Sequence, residues 1–196
     1  MKYHLMRKDI QTGDIVLFSG KGFFSEQIRK RSGSKWSHVG IAMSLPEYDM
    51  KLIFESTIMS NVADIESGLE TRGVQVGPLR ERIRRYNGEV AIRHLEVERT
   101  YGMRMALKNF RNEVVGLPYE KDTIELLKAM YDGWGGMNTE DLTSIFCSEL
   151  TAEGYQRMEL LSEELPSNEY IPADFSTDRQ LKLLKGCLSH ERPVEV

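Results

Sequence analysis

In the first half of the chain, apolar residues come in short runs of strand length separated by turn residues. Gly13-Asp14 is a turn signal leading into Ile15-Val16-Leu17-Phe18, and Ser19-Gly20-Lys21-Gly22 closes that run as a loop. Phe23 to Arg31 carries apolar residues at helical spacing with basic residues between them, which predicts a short helix ending at Ser32-Gly33. Trp36 to Ser44 alternates, and Lys51 to Glu55 forms a second run across the turn Pro46-Glu47-Tyr48-Asp49, so the two are expected to pair as a hairpin. Gly73 to Val76 and Glu89 to Leu95 add two strands around a Pro78 to Tyr86 helix.

From Val97 onward the period becomes helical. Met103, Leu107, Phe110 and Val114 share one face, as do Ile124, Leu127 and Tyr131. Cys147, Leu150, Thr151, Gly154, Tyr155 and Met158 follow in the same way, predicting a helix that begins near 144–146 and runs to about Leu161. Strands first and helices afterwards predict an α+β domain, with helices packed on one side of a largely antiparallel sheet.

No repeat, low-complexity tract or linker divides the 196 residues, a length that suits one domain. The core is placed at about 13–175, with a C-terminal extension at 176–196. The glycine-containing stretch 130–143 is read as a flexible loop before the last helix: a lid, a substrate-binding loop or a mobile connection alone.

A net charge of −4 gives no global attraction to phosphate backbones, so no nucleic-acid partner is expected. The run Arg80, Arg82, Arg84 and Arg85 reads as the solvated face of a short helix around Leu79 and Ile83. No transmembrane segment is present in the pattern, and Met1 to Lys8 lacks the apolar region of a secretory signal. Two cysteines, Cys147 and Cys187, make no disulfide framework. Together these predict a reduced, cytoplasmic setting.

The chemistry is expected at Cys147. A thiol in the first turn of a helix meets the positive end of the macrodipole and unpaired backbone N–H groups, which favour a thiolate and can also hold an oxyanion. The plainer reading is a small buried hydrophobe, and only a partner displaces it. His38 is the partner proposed. It opens a strand on which His38, Gly40 and Ala42 share one face and Val39, Ile41 and Met43 the other. If the Cys147 helix packs on the small-residue face, with Thr151 and Gly154 allowing close approach, the imidazole is carried to the thiol. Glu55, ending the neighbouring strand, is chosen to accept the second imidazole N–H. Asp14 is a weaker competitor, expected to serve its turn, and His4, His94 and His190 have weaker contexts. With no Cys-x-x-Cys, His-x-x-x-His or His-Glu-x-x-His pattern, neither a metal nor another cofactor is expected.

At these residues the sequence resembles the permuted NlpC/P60 group of papain-like proteins, the YaeF/YiiX-like branch related to lecithin:retinol acyltransferase. The resemblance rests on ordered blocks: Gly13 to Leu17, Trp36 to Ile41, Phe54-Glu55-Ser56, Gly73 to Val76, Gly116-Leu117-Pro118-Tyr119, Phe146 to Leu150, and Ile171 to Phe175. Histidine precedes cysteine, the reverse of ordinary NlpC/P60 proteins. The resemblance implies a permuted papain-like core with Cys147, His38 and Glu55 as a triad, and a cysteine-dependent amidase or peptidase acting on a small peptide or another amide or acyl substrate. Lipid-directed thioesterase, phospholipase or acyltransferase action is the alternative, with Phe23-Phe24 beside Arg29, Lys30 and Arg31 as its one interfacial feature. A non-catalytic binding module of the same fold is the third reading.

Overall fold

The apolar run at 15–18 becomes the middle of a sheet in the computed structural model, which describes residues 1–59, 61–117 and 146–196. In chain order the described elements are α1 (Tyr3–Met6), β1 (Ile15–Gly20), α2 (Phe23–Ser32), β2 (His38–Leu45), β3 (Met50–Thr57), β4 (Gly73–Pro78), α3 (Leu79–Arg84), β5 (Gly88–Arg93), β6 (Leu95–Glu96), α4 (Tyr101–Val114), α5 (Cys147–Arg157), β7 (Cys187–Leu188) and β8 (Arg192–Pro193). Six strands form one antiparallel sheet in the order β4-β3-β2-β1-β5-β8, and β6 pairs with β7 beside it. The expected β2–β3 hairpin is present. A short 3₁₀ turn at Pro46–Tyr48 closes it, and Asp49 takes a left-handed conformation at φ 48°.

Both faces of the sheet are covered. On one, Ile15, Leu17, Val39, Ile41 and Phe54 pack with residues of α4 and α5 such as Leu107, Phe110, Leu150 and Tyr155. On the other, Val16, Phe18, Ala42, Ile53 and Ile92 pack with Tyr3, Met6, Leu79 and Ile83 from α1 and α3. The expectation of helices on a single side is corrected by that second layer, and it explains why all six residues of β1 are buried rather than alternating. In α4 the four residues marked out by period, Met103, Leu107, Phe110 and Val114, are the buried ones. Thr100 caps this helix by accepting from the Met103 N–H at 3.2 Å.

The segment 176–196 is joined to the sheet, with β8 pairing β5 and Val194 buried. At the opposite edge, the outward-pointing backbone groups of β4 are taken. Val74 exchanges bonds with Gly116 and Leu117, the Val76 N–H donates to the Asp64 carboxylate, and the Val76 carbonyl accepts from Ile65. The residues Pro118-Tyr119, the Ile124 to Tyr131 pattern and the 130–143 loop lie outside the described residues.

Helix α5 runs from Cys147 to Arg157, ending earlier than its apolar pattern, where Glu159 turns into a left-handed conformation at φ 55°. A Cβ placed on Gly154 would stand 2.7 Å from Ile41 Cδ1 and 3.3 Å from Leu107 Cδ1. Gly154→Val should therefore overpack the α4–α5–sheet junction and lower stability by about 1–3 kcal/mol. In urea unfolding this reads as a lower midpoint at unchanged slope; an unchanged midpoint would mean that Gly154 does not set this approach.

Candidate active site

Cys147 and His38 meet at the end of the sheet, not across its face. His38 is the first residue of β2, opposite Phe18 of β1, and its ring lies 5.2 Å from the Phe18 ring. Cys147 is the first residue of α5 and is 7% exposed. The packing behind this contact differs from the one expected. The helix lies on the Val39/Ile41 face, where Gly154 faces Ile41. The space over Gly40 is filled by Ile53, whose Cδ1 would be 3.0 Å from a Cβ there. Nucleophile and imidazole thus come from opposite faces and join where α5 and β2 both begin. Thiol and imidazole lie close enough there for the charge of the sulfur to act on the ring.

Glu55 lies on the same sheet face as His38, one strand over, and is fully buried. His38 Nε2 is 2.6 Å from Glu55 Oε2, which leaves Nδ1 for Cys147. Sequence reasoning missed the other partner. Arg82, read as part of a solvated face, is 1% exposed and donates from Nε to Glu55 Oε1 at 2.5 Å and from Nη2 to Oε2 at 3.1 Å. The signal was available: Arg82 falls three residues after Leu79 and one before Ile83, on the buried stripe of α3, whereas Arg84 and Arg85 do not. Its guanidinium sits 4.8 Å from the Phe18 ring centre and 5.1 Å from that of Tyr86, and Gln75 adds a long contact of 3.4 Å to Glu55 Oε1.

These contacts decide the charges. Burial alone would push the Glu55 carboxyl upward, but the Arg82 charge, the His38 hydrogen bond and charge, and the Arg82 hydrogen bond overcome it and bring the group down to about 2. Burial likewise opposes charging His38. The nearby Cys147 sulfur, by charge and proximity, and the bond and charge of Glu55 win, raising the imidazole to about 9.

No protein-family model matches the sequence, and no curated protein does. Among solved structures, the metalloprotein yiiX from Escherichia coli O157:H7 aligns at TM-score 0.54, with 19% sequence identity, over 76% of this chain and 66% of its own. The two share a fold. At that identity the likeness is one of fold, the YiiX-like fold that the ordered blocks implied, and the chain spans 66% of the length of yiiX.

Other clusters in this YiiX-like fold are built from similar groups without the same chemistry. Asp14, fully buried, accepts from His94 Nδ1 at 2.8 Å, Arg99 Nη2 at 2.6 Å, the Leu95 N–H at 3.0 Å and the Gln11 N–H at 3.0 Å. It serves its turn, as expected, and also ties β1 to the β5–α4 connection. The neighbouring hydroxyl, Tyr155, is committed to the Gly13 carbonyl at 2.5 Å and is pushed well above the usual tyrosine range by burial. Cys187 and His190 line a cleft of about 280 Å³. There the Cys187 thiol donates to Glu96 at 3.3 Å, and this bond, slight burial and the Glu96 charge raise its pKa, which disfavours a thiolate. No group of three or more His, Cys, Asp or Glu among the described residues is placed to hold a metal ion. At the Cys147 site both Glu55 oxygens are engaged by Arg82 and His38, so among the described residues Cys147 and His38 are the donors left, short of the usual set. Among the described residues no helix is long and apolar enough to cross a membrane.

Proposed function

We propose that this chain is a cysteine-dependent hydrolase of the permuted NlpC/P60 papain-like kind, cleaving an amide bond in a small peptide or related acyl substrate through an acyl-enzyme. The observation that carries the reading is the chain of contacts from Cys147 through His38 to Glu55, buried and joined at the start of a helix. Histidine on an early strand and cysteine on a later helix support the permuted order.

With His38 raised to about 9, the imidazole carries its proton at neutral pH beside the Cys147 sulfur. The thiolate attacks the acyl carbon. The carbonyl electron pair moves to oxygen, and the Cys147 backbone N–H at the start of α5 helps stabilise the oxyanion. His38 then gives its proton to the leaving amine as the tetrahedral intermediate collapses to a thioester. Water attacks that thioester, His38 accepts its proton, and the acid leaves as the thiolate returns.

Reaction with iodoacetamide, located by mass spectrometry, tests the nucleophile. Cys147 is expected to label ahead of the exposed Cys187 and below pH 8, and to lose that advantage in His38→Ala. Equal sluggishness of the two thiols would overturn the reading. A panel of amides, esters and thioesters, read by acyl adducts on Cys147 in intact-mass spectra, then separates amide from lipid-type acyl substrates.

A further inference from the structure

Arg82 has no place in a cysteine–histidine–carboxylate scheme, yet no side chain at the site is more tightly held. It is 1% exposed, makes two bonds to one carboxylate, lies against Phe18 and Tyr86, and reaches Met59 Sδ at 3.5 Å. Both ends of that carboxylate are then fixed. Oε1 takes Arg82 Nε, and Oε2 takes Arg82 Nη2 together with His38 Nε2. Phe18 lies against both partners of Glu55, 5.2 Å from the His38 ring and 4.8 Å from the Arg82 guanidinium. A bidentate guanidinium sets the plane of a carboxylate as a single ammonium cannot.

We propose that Arg82 is a positioning residue, fixing the Glu55 carboxylate in the orientation that turns His38 Nε2 toward Glu55 and Nδ1 toward Cys147. The inference rests on the cysteine-hydrolase reading and deepens it. Arg82 touches neither the thiol nor any reacting atom and acts through Glu55. The charged and titratable groups facing one another here come from four elements and the chain after α3: His38 of β2, Glu55 of β3, Arg82 of α3, Cys147 of α5, and Tyr86, whose hydroxyl is raised by burial. A carboxylate free to rotate would leave the imidazole in more than one orientation, and Nδ1 would face the sulfur only part of the time.

The test is the pH profile of Cys147 labelling by iodoacetamide in the full chain, with thermal melting alongside to establish that each variant is folded. Arg82→Met is expected to slow labelling at neutral pH by up to about 100-fold, the scale of a misplaced reacting group, and to displace the profile. Arg82→Lys, which keeps the charge and loses the fork, should fall between Arg82→Met and the native protein. In a Glu55→Gln background Arg82→Met should change nothing further, because the orientation it sets is already lost. Should Arg82→Met not fold, Arg82→Lys carries the test alone through its slower rate and displaced profile. A folded Arg82→Lys or Arg82→Met with the native rate and profile would overturn the inference, as would an Arg82→Met effect of full size without Glu55. If native Cys147 labels no faster than Cys187, the nucleophile reading falls and takes this one with it. If Cys147 is fast and depends on His38 but not on Arg82, only this inference falls.

Discussion

Glu55→Ala is expected to cost about 3–5 kcal/mol of folding stability, because it strands the Arg82 guanidinium inside the protein with no counter-charge. Two structural features decide the size of the effect. Arg82 is 1% exposed, so solvent does not take over the lost partner, and Glu55 supplies both of its short ionic contacts. Removing both charges together, as in Glu55→Leu with Arg82→Met, should be far milder than the single change, since no buried charge then remains unpaired. Urea unfolding of the two proteins checks this, and equal losses would show that the ion pair is not the source. The pH dependence of native stability has a defined sign. Glu55 lies at about 2, against an ordinary 4.5, so its contribution is full above 4.5 and fades as pH falls toward 2. His38 lies at about 9, against an ordinary 6.5, so its contribution is full below 6.5 and is lost as pH rises through 9. These two groups therefore contribute most between 4.5 and 6.5, and the acid limb due to Glu55 should be missing from Glu55→Ala.

The largest effect on activity is expected at the thiol and its imidazole. Cys147→Ala should form no acyl adduct, and His38→Ala should lower kcat/KM on the best panel substrate by roughly 10²–10⁴-fold, the usual contribution of a positioned acid–base group. Cys147→Ala leaves His38 bonded to Glu55, so the protein should keep its fold and Cys147→Ala supplies a clean inactive control. Cys187→Ala should leave kcat/KM unchanged, because Cys187 pairs with Glu96 on the β6–β7 ribbon. Turnover surviving in Cys147→Ala would move the chemistry elsewhere.

Much of the scaffold was legible because period and burial agree in it. The four-residue stripe of α4, the β2–β3 turn and the run of β1 all sit where the pattern puts them. The positions of His38, Glu55 and Cys147 were legible too, since each stands at the end or start of an apolar run. The route by which His38 and Cys147 meet was not. Gly40 and Ala42 suggested room for a helix, but small residues in a strand can equally make room for a neighbouring side chain, and here Ile53 fills that space. Parity divides a strand into two faces; it does not say which layer lies on which, and both faces of this sheet are apolar. Arg82 was hidden by its company. Among Arg80, Arg84 and Arg85 it reads as one more surface charge, and only its place on the Leu79/Ile83 stripe sets it apart.

The covered edge of β4 bears on how a peptide could dock on this sheet. Many proteins take up extended peptides by adding them as a further strand, which requires a row of free amides and carbonyls on the outermost strand. Here Gly116 and Leu117 occupy Val74, and Asp64 and Ile65 occupy Val76, so a visiting chain finds no ladder to join. At this edge the same cover removes the template by which sheets of separate molecules fuse into aggregates. On the proposed reading, an extended peptide would have to reach Cys147 by some route other than pairing with β4.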